Sequence, residues 1–402
     1  AVGAVGTANT YIGIFIIMFS VISSGMVAVM TQNIGAGRPG VAYQARQLGL
    51  VFNAALGVIM SLFLSLGAGT ILSGVGVADA LMQPAKTYLQ IVGGFCILNA
   101  LIPICSSYLR AFGFSKEPLY ASIIGNVINF CLNAFFLFVL HKGVAGVATA
   151  TVISRIINLV IVVLLGAVLV KAKQHPERES NRAVMGQIIR IGLPSACETA
   201  IYNVSMTLVI RFLNQMDAQG LNVTARSYTM QITNFSYCVG AALAQANAIM
   251  TGWHIGAKEY DACDRGTKKA AVIGVIVAVI LETVFTLCSG WIMQLFSKDP
   301  QMVSLVGKLL AIDIVLEIGR VTNLVYGQAL KTSGDAVFPV VMGACFMILC
   351  SVGGTYLFGI RLGLLAVGAY IGMTGDECVR AVGMYLRWKS GKWKEKGLVK
   401  SR

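Results

Sequence analysis

The sequence predicts an all-α integral membrane protein built from two repeated six-helix lobes, and three observations carry that prediction. The first is composition. Of 402 residues, 56% are hydrophobic and only 12% charged, with a mean hydropathy of +0.77, which excludes a water-soluble globule. The second is that apolar runs follow one another nearly end to end, each of roughly 20 residues or more and so able to cross a hydrocarbon core of about 30 Å. The third is internal repetition. Ile34-Gly35-Ala36-Gly37-Arg38 recurs 221 residues later as Ile255-Gly256-Ala257-Lys258, with a tyrosine after each copy (Tyr43, Tyr260). At the same offset Leu109-Arg110-Ala111-Phe112-Gly113 is echoed by Leu330-Lys331-Thr332-Ser333-Gly334. Gly143-Val144-Ala145-Gly146-Val147-Ala148 is matched by Gly363-Leu364-Leu365-Ala366-Val367-Gly368.

In chain order the apolar runs predict eleven spanning helices. Five lie near 6–33, 46–74, 87–109, 119–140 and 144–170, and six near 188–213, 223–252, 270–296, 303–330, 337–359 and 364–387. Between the two sets runs Lys171 to Arg182, the most polar stretch of the chain. The expected organisation is therefore an N-terminal lobe over 1–172, a linker over 173–187, a C-terminal lobe over 188–390 and a basic tail over 391–402. The first lobe shows one span fewer than the second, and Ala1 opens inside an apolar run. A further helix is expected before residue 1, giving twelve in the intact protein. Six spans per lobe insert both lobes the same way up, related by an axis along the membrane normal.

The net charge of +14 invites a nucleic-acid reading, which its distribution refutes. With alternating helices and Lys171 to Arg190 inside, 21 Lys and Arg fall in inner loops and the tail, against 5 outside. That bias is the positive-inside rule, so the basicity reports topology: a multi-pass cell-membrane protein, inner or plasma membrane, with a cytoplasmic C-terminus. The ten cysteines are scattered singly without a CxxC pair and read as small apolar packers.

Six of the 17 acidic residues fall inside spans, all in the second half: Glu198, Glu282, Asp313, Glu317, Asp376 and Glu377. A carboxylate at the bilayer centre costs about 2.5–3.5 kcal/mol on insertion scales, so each is a functional candidate. Glu317 and Arg320 are one turn apart, with Asp313 and Asn323 continuing the same stripe. Asp376 and Glu377 stand one turn before Arg380. The two sets are expected to meet in one polar network, with carboxylates in excess. They read either as structural ion pairs or as protonatable, cation-binding groups. Glu198 has no basic residue within a turn and follows Pro194, whose missing N–H frees backbone carbonyls; it is expected to line a space within the lobe as a coupling carboxylate. Glu282 has no polar company, and placement toward lipid or packing is equally open. Asn126, Asn129 and Asn133 share one helix face, as interhelical hydrogen-bond partners or as a cleft-lining stripe.

Gly25-Met26-Val27 with Gln32-Asn33-Ile34-Gly35-Ala36-Gly37-Arg38, then Leu109-Arg110-Ala111-Phe112-Gly113, resembles the multidrug and toxic compound extrusion (MATE) transporters. So do the Asn126/Asn129/Asn133 helix, Gly143 to Ala150, and Gly192-Leu193-Pro194. The set Glu317-x-x-Arg320-x-x-Asn323, Gly334-Asp335, Phe338-Pro339, Asp376-Glu377-x-x-Arg380 and Arg387-Trp388 resembles one bacterial branch. The resemblance spans the whole chain. It implies a secondary antiporter that exports amphipathic or cationic drugs and metabolites in exchange for H⁺ or Na⁺, and a monomer is expected. No cofactor beyond the coupling ion is implied, and the partners are a small-molecule substrate and membrane lipid. Many members carry an aspartate where this chain has Asn133, and a neutral amide cannot exchange a proton near neutral pH. The first-lobe coupling site is then reduced, or lies in the helix expected before residue 1.

Two rival readings find little support in the sequence. A membrane enzyme finds no HExxH, GxSxG, DDxxD or P-loop, and Asp261-x-x-Asp264 reads as a solvated turn rather than a metal site. A lipid-linked sugar flippase shares the duplicated architecture, but Arg155 alone is too little basic charge for a phosphate-bearing cargo.

Overall fold

The structure is a computed structural model that describes residues 2–74, 79–171, 175–217 and 220–399. Lys173 and Gln174 of the expected linker, and Lys400 to Arg402 of the tail, lie outside the described residues. The chain forms two compact units, Ala1–Ala196 and Cys197–Arg402.

The first unit holds α1 (Val2–Gly35), α2 (Pro39–Leu66), α3 (Ala68–Gly74), α4 (Asp79–Gly94), α5 (Ile97–Ala111), α6 (Lys116–Ala134) and α7 (Gly143–Leu169). α6 runs on as a π-helical turn over Phe135–Val139. α8 (Asn181–Met216) begins in this unit and ends in the second. The second unit continues with α9 (Leu221–Gly256), α10 (Tyr260–Leu287), α11 (Ser289–Met293), α12 (Pro300–Ser333), α13 (Val337–Phe346) and α14 (Leu365–Lys389). After α13 come π-helical stretches over Met347–Val352 and Thr355–Arg361. No strand occurs among the described residues. Each expected span is met by one helix or by consecutive helical pieces. Among the described residues, six helical segments are long and apolar enough to cross a membrane, and a seventh span is met if α4 and α5, bent by 44°, are taken together. α8, α9, α12 and α14 owe their lower hydropathy to the polar side chains they carry.

The repeat is written into the backbone. α1 ends at Gly35 and α9 at Gly256, while α2 runs Pro39–Leu66 and α10 Tyr260–Leu287, all at the 221-residue offset. Glycine and its echo turn the chain at matching positions: Gly113 has φ 89° and Gly334 φ 100°. The first repeat instead pairs Gly37 (φ 71°) with Lys258 (φ 62°), a left-handed turn held by a residue with a Cβ.

Each unit also straps the turn between its first two helices. In the first, Arg38 pairs with Glu179 at 2.6 Å, and Gln44 donates to the Glu179 carbonyl (2.7 Å) and to Asn181 (2.6 Å). The expected linker is thus docked, not free. In the second, the tail folds back: Trp393 stacks on Trp388 with ring centres 4.1 Å apart and donates to the Trp388 carbonyl. Trp388 in turn donates to Asp264 at 2.9 Å. Asp261-x-x-Asp264 lies at the start of α10, with Asp261 exposed as expected of a solvated turn and the part-exposed Asp264 tied to Trp388 and Lys268.

The start of α8 belongs with the first unit because glycines let it touch α1. A Cβ on Gly25 would strike the Ile188 carbonyl, and one on Gly192 the Val21 carbonyl.

Trp393 is 1% exposed. Trp393→Ala is expected to cost about 3–5 kcal/mol, the range for truncating a buried tryptophan. Thermal unfolding of the purified protein should show a clear drop relative to Lys392→Ala, a neighbour whose side chain points outward.

Candidate functional site

The site is built where α12 meets α14. Gly319 permits the approach: a Cβ there would lie 2.8 Å from the Cys378 nitrogen and 2.9 Å from the Glu377 carbonyl carbon. With the two backbones this close, the next residue on α12, Arg320, reaches across. It pairs with Glu317 on its own helix and, Nε to Oε1 at 3.5 Å, with Glu377 on α14. Glu377 also takes Nη2 of Arg380 at 3.0 Å and Nδ2 of Asn323 at 3.0 Å. Asp376 accepts Nε and Nη2 of Arg380 at 2.8 and 3.0 Å, and the Ser351 hydroxyl at 2.9 Å. One network therefore joins Glu317, Arg320, Asn323, Asp376, Glu377 and Arg380.

The setting is nearly dry. Glu317 is 0% exposed, and Asp313 and Asp376 each 2%. Asp313 shares the stripe but makes no ion pair, and its Oδ2, like Oε2 of Glu317, has no hydrogen-bond partner. Glu282 on α10 is buried too, at 0%, with both carboxylate oxygens unpartnered. Of the two placements left open for it, the one toward lipid is excluded. Its charged neighbours are Asp313, Glu317 and Arg320 on α12, which α10 packs against, and the Ser236 hydroxyl on α9 lies beside it.

Glu198 differs from its expectation of isolation. Lys331 meets it at 2.5 Å, an ion pair between helices far apart in sequence. Glu198 and Lys331 line a cavity of about 240 Å³ together with Arg320, Asn323, Glu377 and Arg380. Tyr202 and Tyr237 complete its polar wall. In the first unit, Asn129 donates to Ser154 on α7 (3.3 Å) and accepts from Asn133 (3.0 Å), so these two tie α6 to α7. Asn126 is exposed and does not join them.

Sequence reasoning missed Lys331 as a partner, the burial of Glu282, and Arg226. Arg226 lies early in α9, is 6% exposed, and lines a second cavity of about 210 Å³ with Asp313 and Arg320. Its signal was present, an arginine inside an apolar span, and went unread.

The sequence model of the MatE family matches residues 1–135 and 194–357. This chain belongs to the MATE family. The protein described as "Uncharacterized transporter YisQ" from Bacillus subtilis (strain 168) is 32% identical over 405 residues, covering 99% of this chain and 89% of that one. A "Probable multidrug resistance protein NorM" from Thermotoga maritima is 22% identical over 411 residues, covering 99% and 87%. Among solved structures, "Crystal structure of MATE in the bent conformation" matches with a TM-score of 0.88 at 18% identity, over 98% of this chain and 88% of that one. This MATE protein is a transporter and not an enzyme, and its fold is the all-α membrane fold of the family.

Arg380 balances Asp376 and shares Glu377 with Arg320, so Arg380→Leu leaves Asp376 without a cation and Glu377 with Arg320 alone. The expected cost is about 3–5 kcal/mol, read by thermal unfolding. Adding Asp376→Asn should recover part of that loss, because it removes the stranded charge.

Proposed function

We propose that this MATE protein is a secondary antiporter of the cell membrane. It works as a monomer with a cytoplasmic C-terminus and exports amphipathic small molecules, bearing a cationic group, in exchange for H⁺ or Na⁺. The coupling residues on this reading are Glu198, Glu317, Asp376 and Glu377, with Asp313, Arg320, Asn323 and Arg380 as network partners. The multidrug resistance descriptions carried by relatives from Bacillus subtilis and Thermotoga maritima support the substrate class.

The observation that carries the reading is an imbalance of charge in a dry place. Six carboxylates, counting Glu282, face three partnered cations, Arg320, Arg380 and Lys331. An ionised carboxylate with unpartnered oxygens is costly to hold in such surroundings, so the surplus acids are best kept as neutral acids or as ligands of a monovalent cation. Arginine cannot give up its proton, so the exchangeable charge resides on the acids. Loading or unloading them alters which arrangement of α12 and α14 is favoured, and antiport follows by linkage.

The test is transport by the full-length protein in sealed proteoliposomes, with the pH and sodium gradients collapsed separately. Loss of export on collapsing one of them supports the reading and names the ion. Export indifferent to both overturns it.

Glu317→Gln and Arg320→Gln separate coupling from scaffolding. Glu317→Gln is expected to yield folded protein whose transport no longer responds to the ion gradient. If both variants merely fail to accumulate in the membrane, the network is structural.

A further inference from the structure

Every buried cation of the α12–α14 network has a carboxylate within 4 Å, and Arg226 has none among the described residues. Its Nε is buried without a hydrogen-bond partner, and its Nη2 meets the Met206 sulfur at 3.7 Å. A lysine so placed could shed its proton, but a guanidinium stays charged. An unpaired buried cation is expensive to maintain, and this one faces the 210 Å³ cavity rather than packed side chains.

The same cavity presents the opposite charge from another helix. Asp313 on α12 lines it, forms no ion pair with Arg226, and leaves Oδ2 unpartnered. Arg320 also reaches the cavity, but Glu317 and Glu377 already neutralise it. The remaining wall includes Met206, Met230 and Met373, soft side chains that adapt to an apolar body. A purely cationic ligand would bring its charge beside Arg226, and a purely anionic one would face Asp313.

We propose that this cavity binds a zwitterionic amphipath, its carboxylate held by Arg226, its ammonium by Asp313 and its apolar body by the methionine wall. This deepens the antiport reading and rests on it for transport. Asp313 is faced by Arg226 on α9, Glu282 on α10, Glu317 and Arg320 on its own helix, and Glu377 and Tyr370 on α14. Ammonium and proton compete for its carboxylate, so binding from the side that releases protons favours exchange.

The test is isothermal titration of the full-length protein in nanodiscs with two zwitterions of different charge spacing, phenylalanine and 4-(aminomethyl)phenylacetate. Their methyl esters (cation only) and N-acetyl forms (anion only) complete the set. At least one zwitterion should bind about tenfold or more tighter than its ester and its N-acetyl form. Arg226→Gln should remove that advantage without weakening ester binding, since it takes away a cation that repels the ester, and Arg226→Lys should retain most of it. Asp313→Asn should weaken the zwitterion and the ester but not the N-acetyl form. Esters that bind as tightly as the zwitterions, zwitterion affinity untouched by Arg226→Gln, or no zwitterion binding at millimolar concentration would each overturn the proposal. Gradient-driven export without zwitterion binding sinks this site and leaves the antiport reading standing. Zwitterion binding without gradient-driven export does the reverse.

Discussion

The second unit depends on one carboxylate being shared. Glu377 holds Arg320 from α12 and Arg380 from its own helix, and it also accepts from Asn323. In a medium that solvates ions poorly, Glu377 could not be buried without these partners, and each arginine shares it beside a second carboxylate, Glu317 for Arg320 and Asp376 for Arg380. The glycine at position 319 brings the two helices close enough for the contact, so a packing choice made by the backbone decides where the charge is stored. Asp376 and Ser351 finish that link on one side, and Glu317 extends it through Arg320 toward Asp313 and Glu282, which form no ion pair among the described residues.

That arrangement gives the lobe two kinds of buried acid. Asp376 and Glu377 have partners on both carboxylate oxygens, so a change in their charge acts at once on the arginines they hold. Asp313, Glu282 and one oxygen of Glu317 are buried without partners, which makes them the groups most sensitive to the arrival of a proton or cation. A network with both kinds can keep its fold while its outer members change charge, which is what an exchanger requires.

Much of this was legible in the sequence because its cause is local or repeated. Apolar run length gives a spanning helix, and the recurring Gly-Ala-Gly-Arg and Gly-Ala-Lys turns fixed the offset at which α2 and α10 both begin. Glu317 with Arg320, and Asp376 with Arg380, were readable because one helical turn brings such residues together. What could not be read was contact between helices. Lys331 appeared as a loop-edge charge and Glu198 as an isolated one, yet they meet at 2.5 Å. Glu282 looked solitary because its neighbours, Asp313 and Glu317, lie on another helix. Asp264 looked solvated because the tryptophan that binds it, Trp388, is more than a hundred residues away.

The central claim is that surplus carboxyl groups in the second unit carry protons or a cation when no substrate is bound. Infrared difference spectroscopy of the carboxyl C=O stretch tests it most directly, on the full-length protein in lipid as pH is stepped and sodium is added. The account predicts a protonated-carboxyl band in the resting protein near neutral pH, or a carboxylate band that shifts on adding sodium, and either signal should shrink in Glu317→Gln. A spectrum with neither signal, every buried acid ionised and indifferent to sodium, would contradict it.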